Sequence, residues 1–138
     1  MYATTDELRQ RLGDMFAGLY QGLDGSPLEA EAESDLESAS AEIDCLIGSR
    51  YTVPVTSGPA VPLLRSWCLT LAEEMAWMRS GKSDAPAGVT ARATRVRDLL
   101  TRISTAALAL PGTAEESAGM IITACDPPVF DRASMEGF

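Results

Sequence analysis

Apolar residues recur at helical spacing in several stretches of the chain, and the longest of these runs over 27–48. Leu28, Ala32, Leu36, Ala39, Ile43, Leu46 and Ile47 share one face of a 3.6-residue wheel. Opposite them lie Ala30, Ser34, Ser38, Ala41 and Cys45, all small. Two acidic stripes separate the faces, with Glu29, Glu33, Glu37 and Asp44 on one side and Glu31, Asp35 and Glu42 on the other. Such a helix offers a core face, two charged flanks and a smooth back that another backbone could approach closely. Ser26-Pro27-Leu28-Glu29 reads as a capping box with Pro27 at the first helical position, and Gly48 as a left-handed exit. Glu29, Glu33 and Glu37 repel one another at i, i+4, by roughly 0.2–0.5 kcal/mol per pair, so tertiary or partner contacts must hold the helix. A solvated acidic face is the ordinary account of the stripes, and a specific electrostatic role is the alternative.

The remaining pattern is arranged around that helix. A first, short helix opens with the capping box Thr4-Thr5-Asp6-Glu7, carries Leu8 and Leu12 one turn apart, and stops at Gly13. Met15, Phe16, Leu19, Tyr20 and Leu23 follow at helical spacing. Gly18, Gly22 and Gly25 would each weaken a helix by about 1 kcal/mol, which predicts an ordered loop or short helix folded on the core. After a turn-rich connection over 51–61, a third helix is expected over 62–79 with Pro62 at its first position. Leu64, Trp67, Cys68, Leu71, Met75 and Met78 form its main face, Leu69, Ala72 and Ala76 a second, and Trp77 stands apart. A helix apolar over so much of its girth is central. A flexible loop over 80–88 leads to a fourth helix over 90–110. Ala93, Val96, Leu100, Ile103 and Ala107 point inward there, and Pro111-Gly112 end it. Arg95 and Arg102 share one flank with Arg92 close by, and Arg97 lies on the other. The expected fold is all-α, a small helical bundle of about four helices over residues 1–112, with an extended C-terminal tail over 113–138.

The tail reads differently from the body. Its proline pair, small residues and five acidic side chains against one basic cannot build a core, so it should be mobile in the free protein. Yet Met120, Ile121 and Ile122 begin a strand-like run, and Val129, Phe130, Met135 and Phe138 are apolar. These properties suit a segment that orders on a partner by strand addition and aromatic anchoring. Folding back over its own helices is the other possibility.

Charge sharpens the organisation. Residues 1–50 hold three basic and eleven acidic side chains, residues 51–110 seven and four, and residues 111–138 one and five, within a net charge of −9 over 138 residues. An acidic front and tail around a basic middle suit head-to-tail self-association or an oriented partner, and do not suit a general nucleic-acid binder. No apolar run approaches the roughly 20 residues of a membrane helix, and the N-terminus has no signal-peptide apolar region, so no membrane association is expected. Cys45, Cys68 and Cys125 have no metal spacing, and their odd number points to reduced thiols in an intracellular setting.

Candidate chemistry is sparse. There is no histidine, which removes the commonest general base and metal ligand. Gly81-Lys82-Ser83 lacks the upstream glycine of a phosphate loop, since Trp77 stands there. Glu73-Glu74 and the acidic stripes lack the alternating spacing of a Ca²⁺ loop. Cys68 reads as a buried thiol on an apolar face rather than a nucleophile. The arginines of the fourth helix could touch phosphates, although arginines on two flanks are more often a solvated or salt-bridging surface. The chain is therefore expected to be no enzyme and to need no cofactor.

Several blocks together resemble a known family. The opening MYATTDELRQRLG over 1–13, the central Ala39-Ser40-Ala41-Glu42-Ile43-Asp44 with Arg50-Tyr51 and Pro54, and Pro62-Leu63-Leu64-Arg65 are similar to the Mu-like head–tail connector (adaptor) family of tailed bacteriophages. The closing Phe130-Asp131-Arg132-Ala133-Ser134-Met135-Glu136-Gly137-Phe138 is similar to that family's last segment. The resemblance implies a structural protein of the virion neck, an all-helical ring of commonly twelve subunits beneath the portal protein. Such a homo-oligomeric ring gives the tail, through a tail-completion or stopper protein, its docking surface, and it leaves a channel for double-stranded DNA without sequence-specific binding. On that reading Met120, Ile121, Ile122, Val129, Phe130, Arg132 and Phe138 would reach the portal. Glu33, Glu37, Asp44, Arg92, Arg95 and Arg102 would lie at a subunit interface or face the channel. The alternative is a small helical regulator or DNA-packaging factor that binds nucleic acid through Arg92, Arg95 and Arg102.

Overall fold

A computed structural model describes residues 1–21, 28–81 and 85–112. The fold is all-α, with α1 Thr5–Leu12, α2 Met15–Leu19, α3 Glu29–Ile47, α4 Ala60–Ser80 and α5 Ala87–Ser104. The helix beyond the four expected is α2, the stretch weakened by glycines; it buries Phe16 and Leu19 and leaves Met15 exposed. The expected tail over 113–138 lies outside the described residues, as do Ser26, Pro27 and residues 82–84.

Periodicity and burial agree along the three long helices. Ala32, Leu36, Ala39, Ile43 and Ile47 of α3 are all fully buried, with Leu28 and Leu46 packed partly against the same core. Helix α4 is the centre of the bundle and packs against each of the other four, while α3 and α5 also touch one another. It buries Leu64, Trp67, Cys68, Leu71, Ala72 and Ala76. Met78, which shares a face with Leu71 by spacing, is 71% exposed, so that face is covered only as far as Met75. Helix α5 turns Ala93, Val96, Leu100 and Ile103 inward.

The helix ends hold both agreements and corrections. Thr4 and Glu7 form the reciprocal capping box of α1, and Gly13 leaves that helix at φ 57°. Helix α3 begins at Glu29, two residues later than expected, with Leu28 at the capping position and no side-chain cap. Gly48 is not left-handed: it keeps φ −64°. The chain simply goes on winding there, because the N–H groups of Arg50 and Tyr51 both bond to the Ile47 carbonyl at 3.0 Å. Helix α4 begins at Ala60, which makes Pro62 its third residue rather than its first. First-turn N–H groups have no intrahelical acceptor, so proline is tolerated there as well.

The largest correction falls on α5, which stops at Ser104, and Ala107 is exposed. Ala106 turns to φ 69°, and the N–H groups of Ala107 and Leu108 close on the Arg102 carbonyl at 2.8 and 3.1 Å. This is a left-handed terminal motif built on alanine instead of glycine, so no residue type signals it. Buried Arg50 secures the same end, one Nη donating to the carbonyls of Ile103 at 2.5 Å and Leu108 at 2.9 Å. A cation at a helix C-terminus also meets the negative end of the helix dipole. The buried Tyr51 hydroxyl accepts the Leu110 N–H at 3.1 Å, which returns Leu110 to the core.

Candidate interaction surfaces

One acidic stripe of α3 faces the body of its own chain. Asp35 is buried, accepts from the Tyr20 hydroxyl at 2.6 Å and pairs with Arg79. Glu31 lies 3.9 Å from the same arginine, and Glu42 accepts from Arg97 Nε at 2.7 Å. Arg97 reaches Glu74 of α4 at 2.6 Å as well, joining all three long helices. The adjacent Glu73, also buried, receives Arg11 of α1 at 3.0 Å and Arg92 of α5 at 3.2 Å. The glutamate pair considered above for a hard cation is thus held by arginines. Among the described residues no group of three or more Cys, Asp or Glu side chains is arranged to hold a metal ion.

Burial pushes the Tyr20 hydroxyl up to about 12 from 10.0, with Arg79 drawing it part of the way back. The folded chain therefore keeps this proton longer than the unfolded chain, and stability is full below pH 10 and declines as pH rises toward 12. The loss from this group amounts to about 2–3 kcal/mol once both states have ionised. Tyr2 is raised further, by burial first and then by its bond to Asp44, and it acts in the same direction. Denaturant midpoints compared at about pH 8 and about pH 11.5 should show the fall, and Tyr20→Phe should reduce it. Equal midpoints would contradict this assignment.

The N-terminal strap adds a polar cluster with no periodic signature. The Tyr2 hydroxyl donates to Asp44 and accepts the Val55 N–H at 3.0 Å, while the Tyr2 N–H donates to Ser40 at 3.0 Å. Ser40 Oγ lies 3.4 Å from Cys68 Sγ, whose thiol is pushed up chiefly by burial. Cys68 is therefore a buried, protonated structural thiol. A shallow groove of about 250 Å³ beside this strap is lined by Met1, Tyr2, Pro54, Val55, Thr56, Val61 and Arg65.

The other flank of α3 faces outward. Glu33 and Glu37 are exposed one turn apart beside Ala30, Ser34, Ser38, Ala41 and Cys45, all exposed too. Asp44 is half-buried and occupied by Tyr2, apart from those two glutamates. On α5, Arg92 leans onto Glu73, Arg102 pairs at 3.2 Å with Asp98 of its own helix, and Arg95 is exposed. Of the charged side chains in the described residues, Asp14, Glu33, Glu37 and Arg95 are left without an ion-pair or hydrogen-bond partner. Met120, Ile121, Ile122, Val129, Phe130, Arg132 and Phe138, the residues expected to reach a portal, lie outside the described residues. Sequence reasoning missed the pairing of Asp35 with Tyr20 and the place of Tyr2; each is a single polar contact between distant segments, which periodicity does not encode.

These features define an all-α protein whose long helices, among the described residues, are fastened to one another by arginine–carboxylate pairs. Residues 2–120 match the family of Bacteriophage Mu, Gp36, and the chain belongs to that family. It is a phage protein. No curated protein matches it. Among the described residues no helix is long and apolar enough to cross a membrane.

Proposed function

We propose that the chain is a non-enzymatic head–tail connector of a phage or phage-like particle, seated in the virion neck as a ring under the portal. The observation that carries this reading is family membership across residues 2–120. The geometry supports it in two ways. Internal arginine–carboxylate pairs fasten the helices to one another, which suits a rigid building block. The faces left over, the Glu33–Glu37 flank of α3 and the Arg95 flank of α5, are exposed and open to neighbouring subunits. In the ring the chain meets further copies of itself, commonly twelve, the portal above and a tail-completion or stopper protein below. Double-stranded DNA passes through the centre, and an acidic lining would keep its phosphates from adhering. Neither a cofactor nor a membrane has a part in this assembly. A nucleic-acid regulator working through Arg92, Arg95 and Arg102 has less support, since Arg92 and Arg102 are engaged by carboxylates.

Residues 113–138 supply the portal anchor in this proposal, through the apolar positions from Met120 to Phe138. Deleting 119–138 should leave helical content and melting temperature as they were and abolish binding to portal-bearing capsids. Lost stability with capsid binding retained would count against an anchor and for a segment that covers its own body.

A further inference from the structure

The unpaired outward charges of α3 and α5 are of opposite sign. Helix α3 presents Glu33 and Glu37, both exposed and unpaired, on a back of small residues. Helix α5 presents Arg95, exposed and unpaired, and seven residues along the same flank Arg102, 61% exposed and paired at 3.2 Å with the exposed Asp98. These carboxylates and this guanidinium remain after every other arginine in the described residues has found an acceptor within its own chain. We infer that α3 of one copy docks on α5 of a second copy, the α3 glutamates meeting Arg95 and Arg102. The connector reading above supplies the setting for this contact, but its chemistry stands on the charges alone.

Charge decides the pairing. An isologous α3–α3 contact would set Glu33 and Glu37 against the same carboxylates, which is repulsive, and an α5–α5 contact, even with Arg95 against Asp98, would leave those glutamates without a counter-charge. Among the described residues Arg95 is the arginine with no acceptor of its own, so the α3–α5 contact is the one that sets the free carboxylates against a free guanidinium. It is heterologous, so each copy keeps one face of each kind free and the next copy can add, closing a ring or extending a chain. Small side chains at 30, 34, 38, 41 and 45 leave nothing bulky between the two backbones, so the helices can approach closely enough for the glutamates to reach across.

Charge reversal tests this on the full chain by sedimentation at low ionic strength. The unaltered chain should associate with rising concentration, less so as salt screens the contact. The α3 variant Glu33→Lys/Glu37→Lys and the α5 variant Arg95→Glu/Arg102→Glu should each weaken association by roughly tenfold or more when alone. Mixed in equal amounts they should regain it, because the reversed α3 then meets a reversed α5 and the two unaltered faces also meet. Circular dichroism of each variant verifies that the body is folded, and recovery in the mixture could not come from a misfolded pair. An unaltered chain that stays monomeric at its highest soluble concentration overturns the contact; so do variants that associate as before, or a mixture that does not recover. Capsid binding by the same proteins separates this from the connector reading. Monomers that still bind portal-bearing capsids would remove the contact alone, and association without capsid binding would remove the connector role alone.

Discussion

Trp67→Ala should lower the unfolding free energy by about 3–5 kcal/mol, most of the stability of a small domain. Trp67 lies on α4, the helix that packs against every other, and only 7% of it is exposed. Its neighbours on the same face, Leu64, Cys68 and Leu71, are fully buried, so little freedom exists to collapse into the space left behind. Helices cannot close up around such a gap without disturbing the ion pairs Arg97–Glu74 and Arg11–Glu73, which lock α4 to α5 and α1. A large fall in denaturant midpoint is the expected reading. An unchanged midpoint would mean that α4 presents a different face to the core.

Arg50→Met is expected to cost about 3 kcal/mol, although it removes no apolar packing of similar size. The methionine keeps an apolar stem, but the carbonyls of Ile103 and Leu108 lose a charged donor in a buried setting, each such bond being worth about 1.5–3 kcal/mol. The effect should also be local. Hydrogen exchange should quicken first at Leu110, whose N–H is held by Tyr51 in the segment that Arg50 secures, with little change in α1. Tyr51→Phe should speed exchange at Leu110 with a much smaller loss of global stability. Equal loss of protection throughout the chain in Arg50→Met would show that Arg50 serves the whole core rather than the end of α5.

The two residues at issue mark what the sequence could and could not reveal. The place of Trp67 was legible, because an apolar stripe at helical spacing on a helix with two apolar faces forces that helix to the centre. The all-α fold and the inward faces of α3 and α5 were legible for the same reason. The end of α5 was not: Ala107 continues the apolar spacing, and the turn that excludes it depends on Arg50 reaching two carbonyls that lie 53 and 58 residues further along the chain. The start of α4 was misjudged by two residues because proline is compatible with any position in a first turn.

The candidate surfaces divide along the same line. Periodicity separated the two acidic stripes of α3 correctly, but it assigned them equal standing. Which stripe turns inward depends on where α4 and α5 pack, and hence on Arg79 and Arg97 reaching Asp35, Glu31 and Glu42. The partners of Arg92, Arg95 and Arg102 depend on packing in the same way. Wheel position placed the three together, and the neighbouring Glu73 then drew Arg92 off. Asp44 was set beside Glu33 and Glu37 by spacing, while Tyr2, from the far end of the chain, occupies it.

Cryo-electron microscopy of the assembled particle's neck tests the connector role most directly. The account predicts a ring of identical helical units immediately below the portal, into which the bundle of α3, α4 and α5 fits, with α3 of each unit against α5 of the next. A neck whose density beneath the portal cannot hold this bundle, in a particle that carries the chain elsewhere or lacks it altogether, would contradict the account.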